Sequence, residues 1–205
     1  MATDQYSCPS CGAPLTLESR FSKMVICTYC GQTCLVSVNG LDPTGKAASL
    51  ADFPSMLSVG AKGTLRGEGF HVLGRLRYKY EDGFWDEWFV QLASGRFIWL
   101  QEDEGTFTSF AKETITAALP SFADIQVGKA LSVNGREVFV VEKNEAMIAG
   151  GEGELRFSIQ PGERVDYVDG TSDGKVISIE FTPDEINLSV GEAIPFETVS
   201  VLRDE

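Results

Sequence analysis

The chain has 205 residues, 43% of them hydrophobic, with 30 acidic side chains against 17 basic and a net charge of −13. That apolar content excludes global disorder, and no apolar run approaches the roughly 18 residues of a membrane span. Residues 1–40 are neutral, with Asp4 and Glu18 against Arg20 and Lys23, so the acidic excess lies in residues 41–205 and disfavours nucleic acid and anionic lipid as partners.

The opening "MATDQYSCPSCG" has no basic stretch followed by an apolar block, so a cytoplasmic location without direct membrane insertion is expected. All five cysteines fall in the first 34 residues. Cys8 and Cys11 form one C-x-x-C pair and Cys27 and Cys30 a second, the spacing of a closed four-thiolate zinc ribbon. Gly12 and Gly31 each follow the second cysteine of a pair, where glycine permits the tight turn that aims backbone N–H groups at the thiolates. Four cysteines leave no open coordination position, so a Zn2+ here is structural and supplies the folding energy that a module of residues 1–38 cannot bury. Cys34 is expected as a small buried apolar residue, not a ligand. Only two basic residues lie in this module, which argues against a nucleic-acid role for it.

Residues 39–55 hold Gly40, Pro43, Gly45 and Pro54 among small polar residues and read as a linker. A β-rich body is expected from residue 56 to 205, sandwich or barrel-like, with short strands between turn signals. Val59, Gly60, Gly67, Phe70 and Val72 recur as Val127, Gly128, Gly135, Val138 and Val140, always 68 residues on. The echo divides the body into two related β-units, 56–120 and 121–205. "AKETITAALPSF", residues 111–122, suggests a helical turn ended by Pro120.

The stretch "GFWDEWFVQLASGRFIWLQEDEG", residues 83–105, holds all three tryptophans among carboxylates. As a hairpin turning at residues 94–96, it puts Trp85, Glu87 and Phe89 on one face and Asp86, Trp88 and Val90 on the other. Trp85, Asp86, Glu87, Trp88, Trp99, Glu102, Asp103 and Glu104 form a candidate binding surface, with aromatic walls and carboxylates suited to an ammonium group. The competing arrangement makes the tryptophans core and pairs Asp86 or Glu87 with Arg75 or Arg77.

"GRLRYKYEDGFWDEWFVQLASGRFIWLQEDEG" resembles the signature of the bacterial domain-of-unknown-function family numbered 4178. The matching residues are Gly74, Arg75, Arg77, Tyr78, Trp85, Asp86, Glu87, Trp88, Trp99, Leu100, Glu102 and Gly105. The resemblance covers about residues 56–200, and some members of that family carry an N-terminal zinc ribbon. It implies an accessory role around polyamines or membrane stress. No catalytic residue is expected: His71, the sole histidine, has no signalled partner, and the glycine-rich "GEGF" and "GGEGE" lack the lysine and hydroxyl of a phosphate loop. The expected function is therefore a non-catalytic binding or adaptor protein that docks partner proteins. The alternatives are a small-cation (polyamine) binder with an acidic-aromatic surface and an enzyme that uses strand-end carboxylates.

Overall fold

The computed structural model describes residues 4–46, 50–51, 53–183 and 185–202. It is all-β, as expected, and the large sheet closes on itself. The N-terminal region carries β1 (Asp4–Ser7), β2 (Pro14–Leu17), β3 (Met24–Ile26), β4 (Gln32–Ser37) and β5 (Gly40–Lys46). A first meander follows: β6 (Lys62–Leu65), β7 (Glu68–Lys79), β8 (Phe84–Leu92), β9 (Phe97–Asp103) and β10 (Thr106–Glu113). The second comprises β11 (Ala130–Val133), β12 (Arg136–Leu155), β13 (Arg164–Ser172), β14 (Lys175–Phe181) and β15 (Ile186–Ile194), and β16 (Val199–Val201) ends the described chain.

Neighbouring strands run β7-β8-β9-β10-β15-β14-β13-β12, and β12 pairs again with β7. Eight antiparallel strands thus form a closed barrel, which removes sheet edges and leaves an interior wide enough for side chains or one small ligand.

The sequence echo is a repeat of hydrogen bonding. Arg66–Gly67 and Asn134–Gly135 form the two hairpin turns, all four residues at positive φ. Gly60 N–H donates to Val72 O at 2.8 Å and Gly128 N–H to Val140 O at 2.9 Å. Val72 N–H donates to Ala61 O, and Val140 N–H to Lys129 O. Both copies also carry a β-bulge at the same place, between Val72 and Gly74 on β7 and between Val140 and Glu142 on β12. A bulge adds one residue to one strand and reverses which face the following side chains take. Before it, Phe70 and Val72 pack with Trp88, Val90 and Leu100, and Val138 and Val140 with Val168, Ile177 and Leu188, in two clusters on the outer face of the barrel. Beyond it, Leu76 and Tyr78 on β7 and Glu142 on β12 turn toward the lumen.

Two expectations give way. Residues 40–46, expected within a linker, form β5: Leu41 packs into the cysteine region's apolar cluster, and the Gln32 side chain donates to Gly45 O at 2.6 Å. Pro43 is accommodated because β5 is an edge strand. Residues 47–49 and 52 of that segment lie outside the described residues. Residues 111–113 complete β10 instead of opening a helical turn, because they pair with Leu188–Val190, and only a 3-10 turn at Phe122–Asp124 follows.

The cysteine region is tied to the barrel. β3 pairs with the end of β12, Ile26 opposite Gly153 and Met24 opposite Leu155. Met24 and Ile26 join Leu76, Tyr78, Trp85 and Ile148 in one buried cluster. The Glu154 carboxylate, buried on β12, accepts from Glu18 N–H at 2.7 Å, Ser19 N–H at 3.1 Å and the Ser22 hydroxyl at 2.6 Å.

Candidate metal centre and barrel lumen

The four ribbon cysteines converge. Their sulfurs all lie within 4.8 Å of one another, with Cys8 Sγ 3.7 Å from Cys30 Sγ and Cys11 Sγ 3.8 Å from Cys27 Sγ. Two matched turns bring them there: Gly12 N–H donates to Cys8 O and Gly31 N–H to Cys27 O, with Cys8 N–H on Ala13 O and Cys27 N–H on Gln32 O. None forms a disulfide, so the group can hold a metal ion. Cys34 is 0% exposed on β4 and stands outside the group; burial pushes its thiol up to about 11. His71 is half-buried on β7, with Nδ1 2.9 Å from Glu18 Oε2.

The tryptophan hairpin forms, with Asp86 opposite Glu102 and Trp88 opposite Leu100, and seven of its eight candidate residues separate onto two faces. The outer face takes Asp86, Trp88 and Glu102. Trp88 is 1% exposed and Asp86 3%. Arg75 Nη2 donates to Asp86 Oδ2 at 2.7 Å, while Arg77 donates through Nε to Oδ1 at 2.8 Å and through Nη2 to Oδ2 at 2.7 Å. Burial pushes the Asp86 carboxyl up to about 6 against the pull of the Arg75 guanidinium. Glu102 Oε2 accepts from Trp88 Nε1 at 3.0 Å and from the Ser55 hydroxyl at 2.6 Å. These three residues hold the hairpin to its neighbours. Glu104 is an exposed turn residue at positive φ.

The inner face takes Trp85, Glu87, Trp99 and Asp103, which line a cavity of about 250 Å³ in the barrel. Trp85 stacks on Tyr78 at 4.8 Å and meets Tyr167 edge-on at 5.2 Å; Trp99 packs on Phe89 and on Phe157 of the loop after β12. Glu87, Asp169 and Glu180 project from β8, β13 and β14 into this aromatic lining. Asp103, Glu142, Glu163 and Glu185 complete seven lining carboxylates among the described residues, against one cation, Lys112. Lys112 is exposed and donates to Asn187 Oδ1 at 2.7 Å.

This crowding leaves electrostatic marks. Burial, then the Glu180 charge, pushes the Glu87 carboxyl up to about 8, although the Trp85 indole donates to it at 3.3 Å. Burial pushes Asp169 up to about 7, opposed by a Ser178 hydrogen bond and reinforced by Glu142 and Glu180. Burial also raises Glu180 and Asp103. Asp103 Oδ1 and Asp169 Oδ1 are buried without a hydrogen-bond partner. Buried carboxylate oxygens are ordinarily paired, so these two stand out among the polar atoms of the lumen.

Reading the hairpin alone missed half of the lumen. Tyr167, Asp169 and Glu180 come from strands far away in sequence, and Tyr78 from the strand just before the hairpin. The available signal was a carboxylate at an alternate position inside an apolar strand, as in "VDYVDG" and "SIEF", since such residues are rarely buried without a purpose.

No curated protein and no solved structure matches the chain. Residues 58–196, from the strand before the first hairpin turn to the end of the second meander, match the family described as a domain of unknown function (DUF4178), and the chain belongs to that family.

Proposed function

We propose that this chain is a non-catalytic binding protein whose barrel lumen takes a small organic polycation of the polyamine class. The supporting observation is the pair of unpartnered carboxylate oxygens, Asp103 Oδ1 and Asp169 Oδ1, in a lumen where seven carboxylates face one lysine among the described residues. A primary ammonium offers three donors and no acceptor, which is what these oxygens lack. The rings of Trp85, Tyr78 and Tyr167 offer π faces to the same charge. A cavity of about 250 Å³ suits a slender ligand, below the roughly 300–1,000 Å³ of drug-sized sites. The four cysteines serve as a structural Zn2+ site that holds β3 and β4, and β3 in turn extends the barrel sheet.

Docking of a protein partner is a second reading, favoured by the ribbon's exposed apolar residues Tyr29 (72% exposed) and Val38. Titration calorimetry with spermidine tests the first reading. The wild type is expected to bind, and Asp103→Asn with Asp169→Asn to bind at least about tenfold more weakly, the loss of one charge-assisted contact. Equal affinities, or no heat from the wild type, would remove the lumen as a cation site.

A further inference from the structure

We propose that the lumen exchanges protons for its ligand: an ammonium enters as protons leave the carboxyl groups of Glu87, Asp169 and Glu180. This rests on the lumen being an ammonium site, and it adds a direction of control.

Like charges crowd together in the lumen. Facing Glu87 are Glu180 on β14, Asp169 on β13, Lys112 on β10 and the Tyr78 hydroxyl on β7. Toward Asp169 stand Glu142 on β12 and Asp103 on β9, with the Tyr80 and Tyr167 hydroxyls beside them. Glu163 and Glu185 reach in from loops. His71 is not among the lining residues. Lys112 can neutralise one carboxylate at most. Several carboxylates at close quarters in a poorly solvated barrel cannot all ionise, because each desolvated charge costs several kcal/mol and like charges repel. The empty lumen therefore holds protons at neutral pH, consistent with the upward shifts of Glu87 and Asp169. A bound ammonium reverses the balance, since it favours the ionised form of every carboxyl it touches.

The sign follows from linkage. Between the carboxyls' ligand-bound and empty pKa values, binding releases protons and tightens as pH rises, by about tenfold per pH unit for each proton released. The ligand's own primary amines, near pKa 10, keep their protons throughout that range, so the dependence belongs to the protein. Uptake is favoured on the alkaline side of neutrality and discharge on the acid side.

The test is calorimetry of the full-length, metal-loaded protein with 1,4-diaminobutane at pH 7, in buffers of different ionisation enthalpy. The slope of heat against buffer enthalpy gives the protons released; one to two are expected, with affinity at pH 5.5 at least about tenfold below that at pH 8. Glu87→Gln with Asp169→Asn keeps the shape of the lumen and is expected to lower the proton count and flatten the pH profile. Binding with no proton release and no pH dependence would overturn the exchange and leave the cation site standing. No binding at any pH would overturn both. A readout on the empty protein guards against a variant that fails to fold. The Trp85 indole N–H donates to Glu87, so its NMR resonance, assigned through Trp85→Phe, is expected to titrate near neutrality. A midpoint in the ordinary carboxylate range would overturn the proposal.

Discussion

Trp88 and Glu102 show how much hangs on single contacts. Trp88 packs with Phe70, Val72 and Leu100 outside the barrel, and Arg75 lies 5.0 Å over its ring. Trp88→Ala is expected to cost about 3–5 kcal/mol, a large share of the roughly 5–15 kcal/mol a domain has, and to lower Tm sharply in a thermal melt. Glu102→Ala leaves the indole N–H buried and unpaired, and is expected to cost about 1–3 kcal/mol in urea denaturation. Glu104→Gln, in an exposed turn, is expected to fall within about 0.5 kcal/mol of the wild type. Glu87 and Asp169 govern pH dependence. Each is raised when folded, to about 8 and about 7, from ordinary values of 4.5 and 3.8. Below the ordinary values both states are protonated and nothing is lost. As pH rises toward the folded values the unfolded chain ionises first, so the ligand-free protein is expected to lose stability from about pH 4 to about pH 8. Glu68 and Glu113, which are lowered when folded from 4.5, act in the opposite direction and only below about pH 5. Differential scanning calorimetry across the range checks the direction, and Glu87→Gln should flatten the curve.

The elements were partly legible. Period-two alternation in residues 84–102 gave the hairpin, its turn and the opposite facing of Asp86 and Glu87. The 68-residue echo marked two hairpins that share turn and hydrogen-bond pattern. The bulges at Leu73 and Val141 were not legible, because each falls in an apolar run, Val72–Leu73 and Val140–Val141, where an extra residue breaks no visible alternation. Closure was hidden too: the seam where β7 meets β12 includes Gly74 opposite Gly153, two positions without side chains. A Cβ at Gly74 would overlap the carbonyl oxygen of Glu154, and one at Gly153 the carbonyl oxygen of Leu73. Gly74→Ala is therefore expected to open this seam and to destabilise the protein far more than the roughly 1 kcal/mol typical of a point change, while Gly95→Ala, in an open turn, costs little beyond its backbone strain. Circular dichroism melts of the two variants separate these outcomes.

Across the whole molecule, β12 joins every part. Its twenty residues pair with β11, β13, β7 and β3, so it belongs to the second meander, the barrel seam and the cysteine region at once. Stripping a metal held by the four cysteines is therefore expected to reach the barrel: with Cys27 released beside Ile26, the packing of Met24 and Ile26 with Tyr78 and Trp85 loosens. A chelator should lower Tm and enhance exchange of β12 amides in residues 153–155. A barrel melt unchanged by chelation would show that β3 stays docked without metal.

The same seam sets a timetable for a chain emerging from a ribosome. β7 ends at Lys79, and its barrel partner on β12 begins at Ile148, 69 residues later. At roughly 5–20 residues per second, the first meander waits about 3–14 s with the edges of β7 and β10 open. β6 waits longer still, since its outer neighbour β16 begins at Val199, 134 residues after Leu65. Exposed strand edges pair with whatever strand is nearest, often another nascent chain. The hazard of this architecture thus lies in the seconds before the second half arrives, when rapid elongation or a chaperone decides between a closed barrel and an aggregate.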